Sequence, residues 1–141
     1  MEIIFENLKQ QKNCYQQLLI HLGEQQEAVA NQDDEGLMNA IKKKNEYVQA
    51  LHKLEQEMNT RLDQMGDSER EKVARETETL RGEIVLSIEK LIAGEEESRK
   101  AIAQQRDELE DQIKQFKKTK NLFKGYQDPS SSKGGGFKGN A

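Results

Sequence analysis

Apolar residues recur along the first part of the chain with the alternating three- and four-residue spacing of a helical coiled-coil seam. The seam positions, counting two glutamines that complete the spacing, are Ile4, Leu8, Gln11, Tyr15, Leu18, Leu22, Gln25 and Val29. Phe5 and Leu19 widen this stripe beyond a strict two-stranded seam. The pattern predicts a helix over about residues 2–30 that contacts more than one neighbouring helix.

A polar segment at residues 31–34 interrupts this pattern with side chains that favour turns and can cap a following helix. A second seam then follows, with Tyr47 and Leu54 as flanking positions. Its members are Leu37, Ile41, Lys44, Val48, Leu51, Glu55, Met58, Leu62 and Met65. Two helices of nearly equal length, joined by a short turn, predict an antiparallel hairpin.

A third helix is predicted to begin after Gly66, which is expected to end the second helix in the left-handed conformation. Ser68 and Glu71 match the S-x-x-E capping box. No proline interrupts the chain from Glu69 to Lys124, a length of about 84 Å as one helix. Its first half is rich in apolar residues suited to packing on the hairpin: Val73, Leu80, Ile84, Val85, Leu86, Ile88, Leu91 and Ile92.

Beyond Gly94 the sequence becomes polar and keeps only a thin apolar stripe, whose members are Ile102, Leu109, Ile113, Phe116 and Phe123. The pattern therefore predicts an all-α fold in which an antiparallel hairpin and a long third helix form a three-helix coiled-coil bundle. Residues 1–94 would form the bundle, and 95–126 an extended amphipathic part that binds a partner. Residues 127–141, rich in Ser and Gly, are predicted to be a disordered tail. Whether the third helix bends at Gly94 stays open.

Composition supports long helices over a broad globular core, because Leu, Ile, Val and Phe supply only 30 of the 141 residues while 34% are charged. A net charge of −4 argues against general nucleic-acid binding. No apolar run is long enough to span a membrane, and the N-terminus does not resemble a signal peptide. We therefore expect a cytoplasmic protein, whose single Cys14 cannot form an internal disulfide.

Candidate catalytic and metal-binding residues are few. His21 and His52 lie on different predicted helices, without the spacing of a convincing metal pair. Consecutive carboxylates, as at residues 95–97, point around a helix and cannot converge on one site. Cys14 lies beside the first seam and is expected to be a packed apolar group or an inert thiol. We predict no enzymatic activity, no metal site and no cofactor.

The C-terminal part of the third helix allows several interpretations. Its lysines could simply favour the negative end of the helix dipole, or they could bind an acidic partner or an acidic membrane. These lysines are Lys114, Lys117, Lys118, Lys120 and Lys124. The apolar stripe could likewise be one half of a homodimeric coiled coil or a docking face for a segment of another protein.

The chain resembles the FlgN-type flagellar export chaperones. The second helix carries a similar order of aliphatic residues, a lysine and a closing Leu-Glu pair: Leu37, Ile41, Lys44, Val48, Leu51, Leu54 and Glu55. The first helix is similar in its leucines and glutamates before the turn: Leu18, Leu19, Leu22, Glu24 and Glu27. Near the end, Leu122 and Tyr126 before a Ser/Gly/Lys tail are similar to the family's Leu-Tyr element.

This resemblance implies a small cytoplasmic chaperone that binds hook-associated proteins, the subunits between hook and filament. It would cover their terminal helices and deliver them to the membrane-embedded type III export gate. The family's client-binding helix maps onto Ile102, Leu109, Ile113 and Phe116, and the gate-contacting tyrosine onto Tyr126. The same heptads leave an alternative open, a structural coiled-coil or secretion-stalk protein that acts by homo-oligomerisation.

Overall fold

A computed structural model describes residues 2–127, except for the side chains of Leu109, Tyr126 and Gln127. The described part of the chain contains helices and turns and no strand, which confirms the predicted all-α class. The helices are α1 (Glu2–Ala30), α2 (Asp34–Asp63), α3 (Asp67–Glu76) and α4 (Glu78–Gln127). The predicted disordered tail covered residues 127–141; Gln127 is instead the last residue of α4, and residues 128–141 lie outside the described residues.

Helices α1 and α2 form the predicted antiparallel hairpin. Asn7, near the start of α1, donates a hydrogen bond to the Leu54 carbonyl near the end of α2, with a distance of 2.9 Å. At the turn, the Asp33 carboxylate accepts the Gly36 N–H at 2.9 Å and caps α2. Gln32 has a φ of 54° and reverses the chain direction in the left-handed region.

The seam predicted for α1 is its buried face. Seven of its eight members are buried and Tyr15 is half-buried: the buried ones are Ile4, Leu8, Gln11, Leu18, Leu22, Gln25 and Val29. One core cluster joins Ile4 and Leu8 to Val73 and Ile84, and another joins Leu18 to Leu51. The three-helix packing therefore centres on α1.

The seam predicted for α2 is wrong in part. Ile41 and Val48 are exposed, whereas Ala40 is buried and Tyr47 and Leu54 pack against the core. The buried face of α2 is therefore rotated from the predicted seam toward the residues that were expected to flank it.

The connection between α2 and α3 also differs from the prediction. Gly66 has a φ of −77° and precedes α3 as its N-cap, so it does not end α2 in the left-handed region. Helix α3 already begins at Asp67, and its cap has no side-chain hydrogen bond, so the Ser68–Glu71 capping box is wrong. The carboxylates of Asp67 and Glu69 in the first turn favour the positive end of the helix dipole.

The predicted single third helix is interrupted at Thr77. This residue is 1% exposed, and its hydroxyl donates a 2.6 Å hydrogen bond to the Val73 carbonyl. The Thr77 backbone N–H also donates to the Val73 carbonyl, at 3.0 Å, so this carbonyl accepts two hydrogen bonds, an arrangement that often bends helices. The chain then continues as α4, which remains helical through Gly94.

The first part of α4 runs parallel to α1. Lys12 pairs with Glu83 at 2.5 Å near one end, and Gln25 bonds Ser98 at 2.7 Å near the other. Not every apolar residue of this part packs on the hairpin as predicted, since three remain exposed: Val85, Leu86 and Ile92. The chain divides into two units, Met1–Arg99 and Lys100–Ala141, and the hairpin with its α3 and α4 packing belongs to the first.

Candidate partner-binding surface

The predicted client-binding stripe lies in the C-terminal part of α4. Ile113, Phe116 and Phe123 expose 45%, 71% and 61% of their surface, whereas Ile102 is half-buried. Leu109 and Tyr126 lie within the helix, and their side chains are not described. Large apolar side chains that stay exposed on one helix are typical of a protein-interaction surface.

Helical geometry brings the stripe residues onto one face. At 100° per residue, the positions from 102 to 123 fall within an arc of about 80°, spread over roughly 32 Å of helix. Lys120 continues the same spacing between Phe116 and Phe123, a position that the apolar pattern alone did not reveal. Leu122, which is 62% exposed, points to a different side of the helix.

Positive charge surrounds the end of the stripe. Five lysines and no carboxylate occur between Gln112 and Gln127. Lys124 lies in the last turn of α4, where a cation is favoured by the helix dipole. The surface therefore combines large apolar groups with a cationic border, which suits an amphipathic segment that carries acidic residues.

A buried polar layer connects α1, α2 and α4 just before this stripe. The Gln25 amide donates to the Ser98 hydroxyl at 2.7 Å, and Lys44 donates to the Gln25 side-chain oxygen at 2.5 Å. Gln25 and Ser98 are buried, and the Lys44 ammonium also pairs with Glu95. Buried polar contacts of this kind fix the register of packed helices.

Ser98 is also the last buried residue of the described chain. Among the described side chains from residue 99 onward, none is buried. The seam spacing predicted that Gln25 and Lys44 face other helices, but it did not include Ser98, which lies among charged residues in the sequence. Its burial could have been inferred from its spacing of seven and fourteen residues from Leu91 and Ile84.

The Cys14 thiol and the His21 ring both lie in the packed hairpin. Burial raises the pKa of the Cys14 thiol, so the reactive thiolate is disfavoured. The His21 ring forms a 2.9 Å hydrogen bond with Glu24 and stacks on Tyr47 with ring centroids 5.6 Å apart. Hydrogen bonding to His21 lowers the pKa of Glu24. The stacking of His21 on Tyr47 joins α1 to α2 within the hairpin.

The described part of the chain, residues 2–127, contains no group of three or more His, Cys, Asp or Glu side chains placed to hold a metal ion. None of its helices combines the length and apolar character required to span a membrane.

A hairpin-based helical bundle with an exposed amphipathic helix face defines a class of protein that binds other protein segments. The family model described as "FlgN protein" matches residues 1–125, which is most of the chain. The chain belongs to this family of flagellar export chaperones, and the resemblance seen in the sequence is confirmed. It is therefore a chaperone that binds flagellar proteins.

The match includes the stripe but ends at Gly125, one residue before Tyr126. The role expected for this tyrosine therefore stays a prediction. No curated protein and no solved structure matches the chain.

Proposed function

We propose that the clients of this chaperone are hook-associated proteins and that it carries them through the cytoplasm to the type III export gate. The observation that supports this proposal is the exposed face of α4, where Phe116 and Phe123 are mostly accessible to solvent. The terminal helices of these clients would pack on this face as one helix against another. Their premature assembly would thereby be prevented.

Binding energy comes from burying the stripe while its helix is already formed. Fully burying one large apolar side chain contributes about 1.5–3 kcal/mol. Full burial of five stripe residues would contribute at most about 7.5–15 kcal/mol, and the costs of association and side-chain ordering offset much of it. We expect micromolar affinity, which permits the client to be released at the gate.

The central experiment compares Phe116→Asp with Leu122→Asp. Both residues are exposed on α4, but only Phe116 belongs to the stripe, so the two variants share the charge change and the helix. Mixing each with a hook-associated subunit and measuring mass by light scattering should show a complex for Leu122→Asp and none for Phe116→Asp. Circular dichroism should show nearly unchanged helical content in both.

Failure of the unaltered protein to bind any junction subunit would refute the assigned clients. Equal binding by the two variants would refute the stripe as the contact. A stable homodimer that dissociates only in Phe116→Asp would instead favour the structural coiled-coil alternative, because the stripe would then be a self-association seam.

Delivery to the gate is proposed to use Tyr126, in the last turn of α4. The resemblance supports this assignment through the family's Leu-Tyr element near the C-terminus. Tyr126→Ala should keep client binding in light scattering but reduce the amount of client secreted by cells. Unchanged secretion would exclude a gate contact by this residue.

A further inference from the structure

The unit Met1–Arg99 contains an apolar surface pocket of about 260 Å³ where α1, α2, α3 and α4 meet. Its apolar lining comes from Ile4, Leu8, Met58, Leu62 and Val73. The interruption between α3 and α4 borders the same pocket, since Ala74 and Thr77 also line it. A cavity of about 150 Å³ can hold a benzene molecule, so this pocket has room for one large apolar side chain.

Two arginines complete the lining of this pocket. Arg70 donates its Nε hydrogen to the Leu62 carbonyl at 2.9 Å, in the last turn of α2. Arg81 donates from Nη2 to the Ala74 carbonyl at 2.6 Å, and from Nε to the Thr77 hydroxyl at 3.1 Å. The guanidinium groups thus bond to carbonyls at the C-terminal ends of α2 and α3 and remain beside the pocket.

These contacts use only part of the hydrogen-bonding capacity of the two side chains. A guanidinium carries five N–H donors, of which Arg70 uses one and Arg81 two in these bonds. Neither arginine forms an ion pair with any carboxylate of residues 2–127, and no carboxylate lines the pocket. An acidic group that entered beside this apolar pocket would therefore meet two guanidinium groups with N–H donors still available and no competing carboxylate in the lining.

We propose that this pocket is a docking site for a protein segment that carries a large apolar side chain and, within one helical turn of it, an Asp or Glu. The apolar side chain would enter the pocket, and the carboxylate would accept hydrogen bonds from Arg70 and Arg81. The site does not rest on the proposed client contact, because the pocket lies in Met1–Arg99 and the exposed stripe lies beyond Arg99.

The test uses the full isotope-labelled chain and a capped helical peptide that places Leu and Glu three residues apart. In NMR titrations we expect amide shifts concentrated at Val73, Ala74 and Thr77. A second peptide with Gln in place of Glu should bind about tenfold more weakly, because a charge-assisted hydrogen bond is lost. Hexanoate, a small carboxylate without a peptide backbone, is the control that tests whether a small molecule binds as tightly as the Glu peptide.

Three variants define the contact. The double variant Arg70→Gln/Arg81→Gln should lower the affinity for the Glu peptide by about tenfold or more. Arg75→Gln is the control for loss of one positive charge near the pocket, since Arg75 lies in the last turn of α3 but does not line the pocket, and this variant should bind as the unaltered chain does. Ala74→Leu should block the pocket while keeping both arginines, so it tests the site even if the double variant is unfolded.

The proposal is overturned if the pocket amides do not shift, if Ala74→Leu binds normally, or if the Glu and Gln peptides bind equally. Binding of hexanoate as tightly as the Glu peptide would also overturn it, because the pocket would then be a small-molecule site. Loss of peptide binding in Phe116→Asp, with normal binding in Ala74→Leu, would assign the peptide to the stripe instead.

Discussion

Gly94 provides a direct test of how α4 packs on α1. A Cβ atom at this position would clash with Leu22 Cδ2 and would lie 3.4 Å from Leu22 Cγ. Leu22 is only 4% exposed, so its side chain is surrounded and cannot move aside freely. We therefore predict that Gly94→Ala destabilises the protein, although alanine is the better helix former.

The magnitude follows from two opposing effects. Replacing a helical glycine by alanine stabilises by about 1 kcal/mol, and overpacking a core costs about 1–3 kcal/mol. The net loss for Gly94→Ala should lie between about zero and 2 kcal/mol. Gly82 is the matched control, because it lies in the same helix and no atom lies within 4 Å of its added Cβ. Gly82→Ala should therefore stabilise by about 1 kcal/mol.

Urea unfolding followed by circular dichroism measures both variants, and the difference between them isolates the clash because the propensity gain is common to both. Leu22→Val in the Gly94→Ala background should recover part of the loss, which a double-mutant cycle quantifies. If Gly94→Ala stabilises the protein as much as Gly82→Ala does, the close contact with Leu22 is absent and the reasoning is refuted.

Three further predictions concern the hairpin and its polar layer. Gln25→Leu should lower the free energy of unfolding in urea by about 1–3 kcal/mol, because buried Ser98 loses its hydrogen bond. Gln16→Leu, at an exposed position of the same helix, should be nearly neutral. Equal effects of the two variants would contradict a stabilising role of the polar layer. Asp33→Ala removes the α2 cap and should cost about 1 kcal/mol, with Asp33→Asn retaining most of the stability; a neutral Asp33→Ala would argue against the cap. The raised pKa of Cys14 means that the unfolded chain loses the thiol proton first, so stability should fall as pH rises above about 8.5. Unfolding across this range should show a shallower fall in Cys14→Ala, and an identical fall would exclude the thiol as its source.

The buried face of α1 was predicted closely because most of its large apolar residues fall on a single side of the helix. The spacing from Ile4 to Val29 selects one face, and the polar turn with Asp33 marks the end of the helix. In α2 the predicted seam included two residues that the structure exposes, Ile41 and Val48. They are more apolar than Ala40 and Tyr47, which contact the core in their place. Burial there follows the register set by neighbouring helices, which the hydrophobic pattern of one helix does not contain.

The interruption at Thr77 could not be predicted for a related reason. Neither proline nor glycine occurs at residues 76–79, so no local breaker marks the position. Thr77 is held by its own back-bond to Val73 and by a hydrogen bond from Arg81, in a core shared with α1 and α2. These contacts are local, between residues four positions apart, but Thr and Arg do not mark a helix break in the sequence. The apolar pocket beside the break was equally invisible in the sequence.

The polar layer determines the register of α4 on the hairpin within Met1–Arg99. Gln25 and Lys44 bring hydrogen-bonding groups into the core at the level of Ser98, where continued apolar packing would otherwise be expected. Helix α1 ends at Ala30, five residues after Gln25, whereas α4 continues to Gln127. Because a displaced register would bury Gln25 or Ser98 without a partner, the polar layer resists sliding of α4 along the hairpin within Met1–Arg99.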